Sequence, residues 1–184
     1  MSRNASYTQL ARDARAYIGQ DHRYAHSVRV ARCAELLARR HGVETRKARF
    51  AGLLHDLARL YSPQRLIAES EARGFYISRV EREHPVLLHA RLGAAIARER
   101  FGINDPEILS AIEKHTTGAE PMSPLDAVVY LADSLEPERR FSERQELWEL
   151  AMRDLFGGLR ETLALSARRR AEKSARAAEA AASS

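Results

Sequence analysis

Apolar residues recur at intervals of three and four along most of the chain, and alternating apolar and polar positions are nearly absent. That is the period of a one-sided α-helix, not of a strand. The pattern predicts helices over residues 5–18, 22–41, 45–60, 63–73, 88–101, 105–115, 123–135 and 142–173, and no sheet. The nine glycines and six prolines fall largely at the breaks between these segments. Ser123-Pro124 and Asp105-Pro106 read as an N-cap followed by proline in the first turn, and Ser142 with Gln145 reads as a capping box. Gly42 and Gly102 stand where glycine ends a helix.

Several ionisable residues interrupt the apolar faces. His26 shares a stripe with Val30, Cys33 and Leu37; His89 heads one with Leu92 and Ile96; His115 ends one with Ile108 and Ile112. Asp133 closes the run Ala127–Ala132. His55 and Asp56 sit inside GLLHDLAR, where Ala48 and Gly52 share the stripe of His55 and admit a second backbone at close range. Singly, each is read as a core residue with a satisfied hydrogen bond. Together, burying six such groups without compensation costs several kcal/mol apiece. One cation compensates all of them at a single point, provided the helices converge on it. His22, His41 and His84 lie near helix ends instead, although His84 competes with His89 for the role.

The donor set bears on the chemistry. Imidazole and carboxylate with no thiolate partner disfavour a structural zinc site and suit Fe, Mn, Co, Ni or Zn. An adjacent His-Asp pair lets one carboxylate bridge two ions. Ions bridged roughly 3.5–4 Å apart activate water and neutralise phosphoryl oxygens, which points to hydrolysis of a phosphate ester or anhydride.

Composition narrows the remaining classes. The 184 residues, 45% hydrophobic and 30% charged, describe one soluble globular domain with no membrane-length apolar run and no secretory leader. One cysteine, Cys33, excludes an internal disulfide and fits a cytoplasmic setting. The net charge is +5, of which three come from the stretch after Ala167, where Arg168, Arg169, Arg170, Lys173 and Arg176 oppose Glu172 and Glu179. A dedicated nucleic-acid surface is therefore not expected, and attraction of a polyphosphate explains the surplus more simply. The organisation expected is an N-terminal helix over 1–19, the chemistry-bearing domain over 20–141, a packing helix over 142–167, and an Ala/Arg-rich tail over 168–184 that frays or is disordered.

The ordered set His26, His55-Asp56, His89, His115 and Asp133 resembles the HD-domain metal-dependent phosphohydrolases. A longer stretch, EKHTTGAEPMSPLDAVVYLADSLEPERRF, resembles a narrower group: the YqeK-type bacterial symmetrical diadenosine tetraphosphate hydrolases. HRYAHSVRVA and LLHARLGA extend the resemblance over residues 20 to 141. It implies an all-α helical bundle with a metal site where several helices converge. It also implies an iron-favouring dinuclear centre and cleavage of diadenosine tetraphosphate into two ADP. By the same resemblance His26, His55, Asp56 and Asp133 hold the first metal, and His89 and His115 serve the second metal or the adjoining phosphates. Arg23, Arg59, Thr116 and Arg139 contact the nucleotide. Asp56 is the expected catalytic residue, bridging the ions and orienting the nucleophile.

The chain departs from that group by carrying Arg59 where a lysine is usual, and by its Ala/Arg tail after Glu161. The expected partners are a dinucleoside polyphosphate or ADP, without membrane or nucleic acid and with a homodimer left open. Another HD phosphohydrolase, such as a nucleotidase or cyclic-nucleotide phosphodiesterase, is the alternative activity. A nucleotide-binding regulator without catalysis is the alternative class.

Overall fold

Helix-start chemistry is realised at five of the breaks. Ser6 and Ser62 accept from the amides of Gln9 and Arg65, Asp105 accepts from Glu107, and Ser78–Glu81 and Ser123–Asp126 form reciprocal capping boxes. The computed structural model describes residues 6–118 and 120–182, with side chains described to Arg176; the first residue of the helix expected over 5–18 lies outside them. Among the described residues the chain is all-α. The helices are α1 (Tyr7–Ile18), α2 (Asp21–Arg40), α3 (Thr45–Leu54), α4 (Pro63–Ala72), α5 (Arg79–Glu83), α6 (Leu88–Phe101), α7 (Pro106–Lys114), α8 (Pro124–Leu135), α9 (Arg144–Arg153) and α10 (Leu155–Ala182), with a 3₁₀ turn at Pro85–Leu87. None is long and apolar enough to cross a membrane.

α8 is the axis of the fold. Leu125 to Ala132 and Leu135 are all buried, and α2, α3, α7, α9 and α10 pack around them. α2 lies along α3, and α6 along α7. Gly52 sets the α2–α3 contact: a Cβ there would stand 2.9 Å from the Ala31 Cα, so the α3 backbone rests directly on α2. That close approach, expected from the Ala48–Gly52 stripe, carries His55 toward His26.

The structure departs from the predicted elements in five places. The segment 45–60 ends as α-helix at Leu54 and continues in tight turns, where Leu57, Arg59 and Tyr61 donate to carbonyls three residues back. His55 competes with the helix there by donating from its ring to the Gly52 carbonyl at 2.8 Å. The segment 142–173 is two helices divided at Asp154, whose carboxylate accepts from the Gly157 amide and caps α10. The capping box expected at Ser142–Gln145 does not form, because Ser142 donates to Glu143 and α9 begins at Arg144. The short α5 falls in a stretch left without an element. The segment expected to fray continues α10 to Ala182, as its alanines and arginines favour; the last two residues lie outside the described part.

Candidate metal centre

The six residues singled out on apolar faces meet in one place. His26 comes from the interior of α2, His55 from the C-cap of α3 and Asp56 from the turn after it. His89 comes from the first turn of α6, His115 from the C-cap of α7 and Asp133 from the last turn of α8. The ligating atoms of His26, His55 and Asp56 all lie within 4.8 Å of one another. The same holds for His55, His115 and Asp133, and for Asp56, His89 and His115. All four histidines are buried. His84, the competitor of His89, is exposed at the C-cap of α5. His41 donates from the end of α2 to the Ala151 carbonyl, and His22 is exposed.

The ring orientations carry most of the chemical information. Each Nδ1 faces an acceptor: Glu136 for His26, and the carbonyls of Gly52, Val86 and Ile112 for His55, His89 and His115. Those contacts place a proton on each Nδ1, so Nε2 is the atom that every ring turns toward the centre and can offer to a cation. The Nε2 atoms of His89 and His115 stand 3.2 Å apart. Those of His26 and His55 are buried without a hydrogen-bond partner. Converging imidazole nitrogens and carboxylates repel unless a cation or protons lie among them, so the residues present fit a divalent metal with nitrogen and oxygen ligands.

Asp56 occupies the middle. Its Oδ2 lies 3.5 Å from His55 and 3.8 Å from His26, while its Oδ1 lies 3.3 Å from His89 and 3.8 Å from His115. Asp133 Oδ1 approaches His26 at 3.0 Å and His55 at 3.6 Å. Burial is the largest single influence and would raise both carboxyls, yet His55, His115 and His89 together outweigh it for Asp56, and His26, His55 and Arg139 together do so for Asp133. Both are held well below the usual carboxylate range. Burial pulls His55 down as well, but Asp56 and Asp133 overcome it and lift the imidazole to about 9 when no metal is bound. His115 is lowered, chiefly by its burial.

A cavity of about 330 Å³ opens onto the cluster. It is lined by Arg23, Arg59, Arg139 and Thr116, all four expected, and by Arg170, which was not. Arg23 lies 3.6 Å from Asp56, and Arg139 donates to Asp133 through both its side-chain carboxylate and its backbone carbonyl. The Thr116 hydroxyl lies 3.1 and 3.2 Å from the inward nitrogens of His115 and His89.

α10 forms the far wall with Ser166 and Arg170, one turn apart. Its position is fixed at the Thr116–Gly118 turn, where Gly118 has φ +64° and a Cβ would collide with Leu163. The Tyr130 hydroxyl donates to Ser166, and Arg169 lies over the Phe141 ring and pairs with Glu143. Composition places Arg170 in a frayed tail, and the apolar pattern gives no role to Glu136 or Arg29. The available signals were the spacing of Ser166 and Arg170 beyond Leu159 and Thr162, and an arginine one turn from His26.

The HD-domain family profile matches residues 23–138, and the chain belongs to that family. Within it the chain is 37% identical over 135 residues to the symmetrical bis(5'-nucleosyl)-tetraphosphatase of Bacillus subtilis strain 168, covering 73% of this chain and 72% of that protein. It is 34% identical over 144 residues to the enzyme of the same name from Halalkalibacterium halodurans, covering 76% and 74%. Among solved structures, an HD superfamily hydrolase from Clostridium acetobutylicum, described as involved in NAD metabolism, superposes with a TM-score of 0.86. That chain is 33% identical, and the match covers 92% of this chain and 89% of that one.

Proposed function

We propose that this chain is a metal-dependent acid-anhydride hydrolase that cleaves diadenosine tetraphosphate symmetrically into two ADP. The observation that carries the reading is the placement of Asp56. Its two oxygens face two separate imidazole pairs at the floor of a cavity ringed by four arginines. Such a carboxylate suits a dinuclear centre, and four cations around one small cavity suit a polyphosphate. The names of the relatives at 34–37% identity support the same substrate. Iron is the metal proposed on the family resemblance; Mn, Co, Ni and Zn fit the same donors. A cytoplasmic setting is proposed from the single buried cysteine.

In this reading His26, His55, Asp56 and Asp133 would hold one ion, and His89 and His115 together with Asp56 would hold the second. When bound, the metal supplies Lewis acidity toward a phosphoryl oxygen and makes water nucleophilic near neutral pH. The chain's own groups do the rest. Asp56 fixes the direction of attack, because it is ionised and tied to both halves of the cluster. Arg23 stands at the Asp56 carboxylate and Arg139 at that of Asp133, where they offset charge that develops on the non-bridging oxygens. Thr116 offers a hydroxyl on the His89–His115 side. Arg59 and Arg170 reach the outer part of the cavity, where the remaining phosphates of a four-phosphate bridge lie. The leaving group is ADP, an anion whose charge these arginines offset.

The test is a substrate panel with manganese or iron supplied. Diadenosine tetraphosphate is expected to show a kcat/KM roughly a hundredfold or more above AMP and cyclic AMP, since unfilled cationic contacts penalise the smaller ligands. Faster release of adenosine from AMP, or faster opening of the cyclic nucleotide, would overturn the proposal.

A further inference from the structure

Three of the four inward-facing imidazoles are oriented by the backbone carbonyl three residues earlier: His55 by Gly52, His89 by Val86 and His115 by Ile112. His55 and His115 stand at helix C-termini, where such carbonyls are free, and His89 takes the carbonyl of Val86 from the 3₁₀ turn that precedes α6. His26 does not. It lies inside α2, whose preceding carbonyls are committed to the helix ladder, so its Nδ1 needs a partner from elsewhere in the chain. It meets the Oε1 of Glu136 at 3.2 Å, across 110 positions.

Glu136 is itself buried and firmly seated. Its Oε2 accepts from Arg29 Nε at 2.7 Å and from the Glu138 amide at 2.9 Å. Arg29 stands one helical turn from His26, so α2 supplies both the imidazole and the cation that anchors its partner. Asp133, three residues before Glu136, approaches the other nitrogen of the same ring at 3.0 Å. One stretch of chain at the end of α8 thus brings a carboxylate to each nitrogen of His26.

We propose that Glu136 is a positioning residue: held by Arg29, it locks His26 as an Nε2 donor and sets the affinity of the centre for its metal. The inference rests on His26 being a metal ligand. A carboxylate behind an imidazole does more than a carbonyl does. It fixes the same tautomer, makes the ring a stronger donor, and adds a negative charge next to the cation. The His26 side of the centre is therefore the tighter half, and the half backed only by neutral carbonyls exchanges its metal more readily.

The experiment titrates metal-free protein with Mn2+, reading free ion by electron paramagnetic resonance, in wild type, Glu136→Gln and Arg29→Met. Glu136→Gln is expected to weaken the tightest binding step about tenfold to a hundredfold, with Arg29→Met losing less. Nitrogen-15 spectra are expected to show His26 protonated on Nδ1 in metal-free wild type and a mixture of tautomers in Glu136→Gln. A wild type that binds no Mn2+ would overturn the assignment of the centre itself. A wild type that binds, beside a folded Glu136→Gln of unchanged affinity, would overturn only the role of Glu136. If Glu136→Gln does not fold, Arg29→Met with unchanged affinity would overturn that role instead, because its side chain lies nearer the surface and its loss is better tolerated.

Discussion

Asp56→Asn is expected to lower the hydrolysis of diadenosine tetraphosphate by about three orders of magnitude or more, with the fold intact. The substitution keeps the size of the side chain and changes only what its second terminal atom can do. In the native chain one oxygen faces His26 and His55 and the other faces His89 and His115. An amide has one acceptor and one donor, and the donor cannot bind a cation. One half of the centre therefore loses its ligand, and Arg23 loses the charge it faces at 3.6 Å. Loss of a single preorganised donor in an oxyanion hole costs about a hundredfold to a thousandfold, and a group serving both halves of a centre must cost more. The check is kcat/KM together with a circular-dichroism melt. A folded Asp56→Asn enzyme within tenfold of wild type would remove Asp56 from the chemistry.

Removal of metal is expected to lower the melting temperature by roughly 10 °C, given an ion held near a thousand times its dissociation constant. That ratio corresponds to about 4 kcal/mol, and a chain of this length melts about 2–4 °C lower per kcal/mol. The four lone pairs and two carboxylates left behind account for the direction. They are partly relieved by a proton on His55, whose imidazole rises from its ordinary 6.5 to about 9. A raised folded value means that this relief is fully present below about pH 6.5 and is lost as pH climbs through about 9. The gap between metal-loaded and chelated protein is accordingly expected to widen over that interval. Melts with and without a chelator at pH 6.5 and 8.5 measure it. Identical melting temperatures at both values would mean that the cluster binds no ion.

The centre was legible in the sequence because its members break a pattern. A histidine or aspartate on an otherwise apolar stripe is visible from periodicity alone, and His26, His55, Asp56, His89, His115 and Asp133 all converge. His89 was separated from its competitor His84 by its stripe with Leu92 and Ile96, although the helix start between the two could not be fixed from local signals. What orients these ligands was hidden. Glu136 lies just past the end of a helix and pairs across 110 residues with a side chain whose need arises only because His26 is mid-helix. No period marks such a contact. The end of α3 at Leu54 was masked because Leu57 and Leu60 continue the apolar spacing through turns that are no longer α-helical. Arg170 was hidden by composition: its neighbours read as a solvated tail, and only the packing of Leu163 on Gly118 and of Arg169 on Phe141 brings it over the cavity.

The proposed chemistry is tested most sharply by the identity of the products formed from diadenosine tetraphosphate in oxygen-18 water, with iron or manganese supplied. Attack within the centre of the phosphate bridge predicts ADP as the sole nucleotide, with one heavy oxygen shared between the two molecules released per turnover. Formation of ATP and AMP would contradict it.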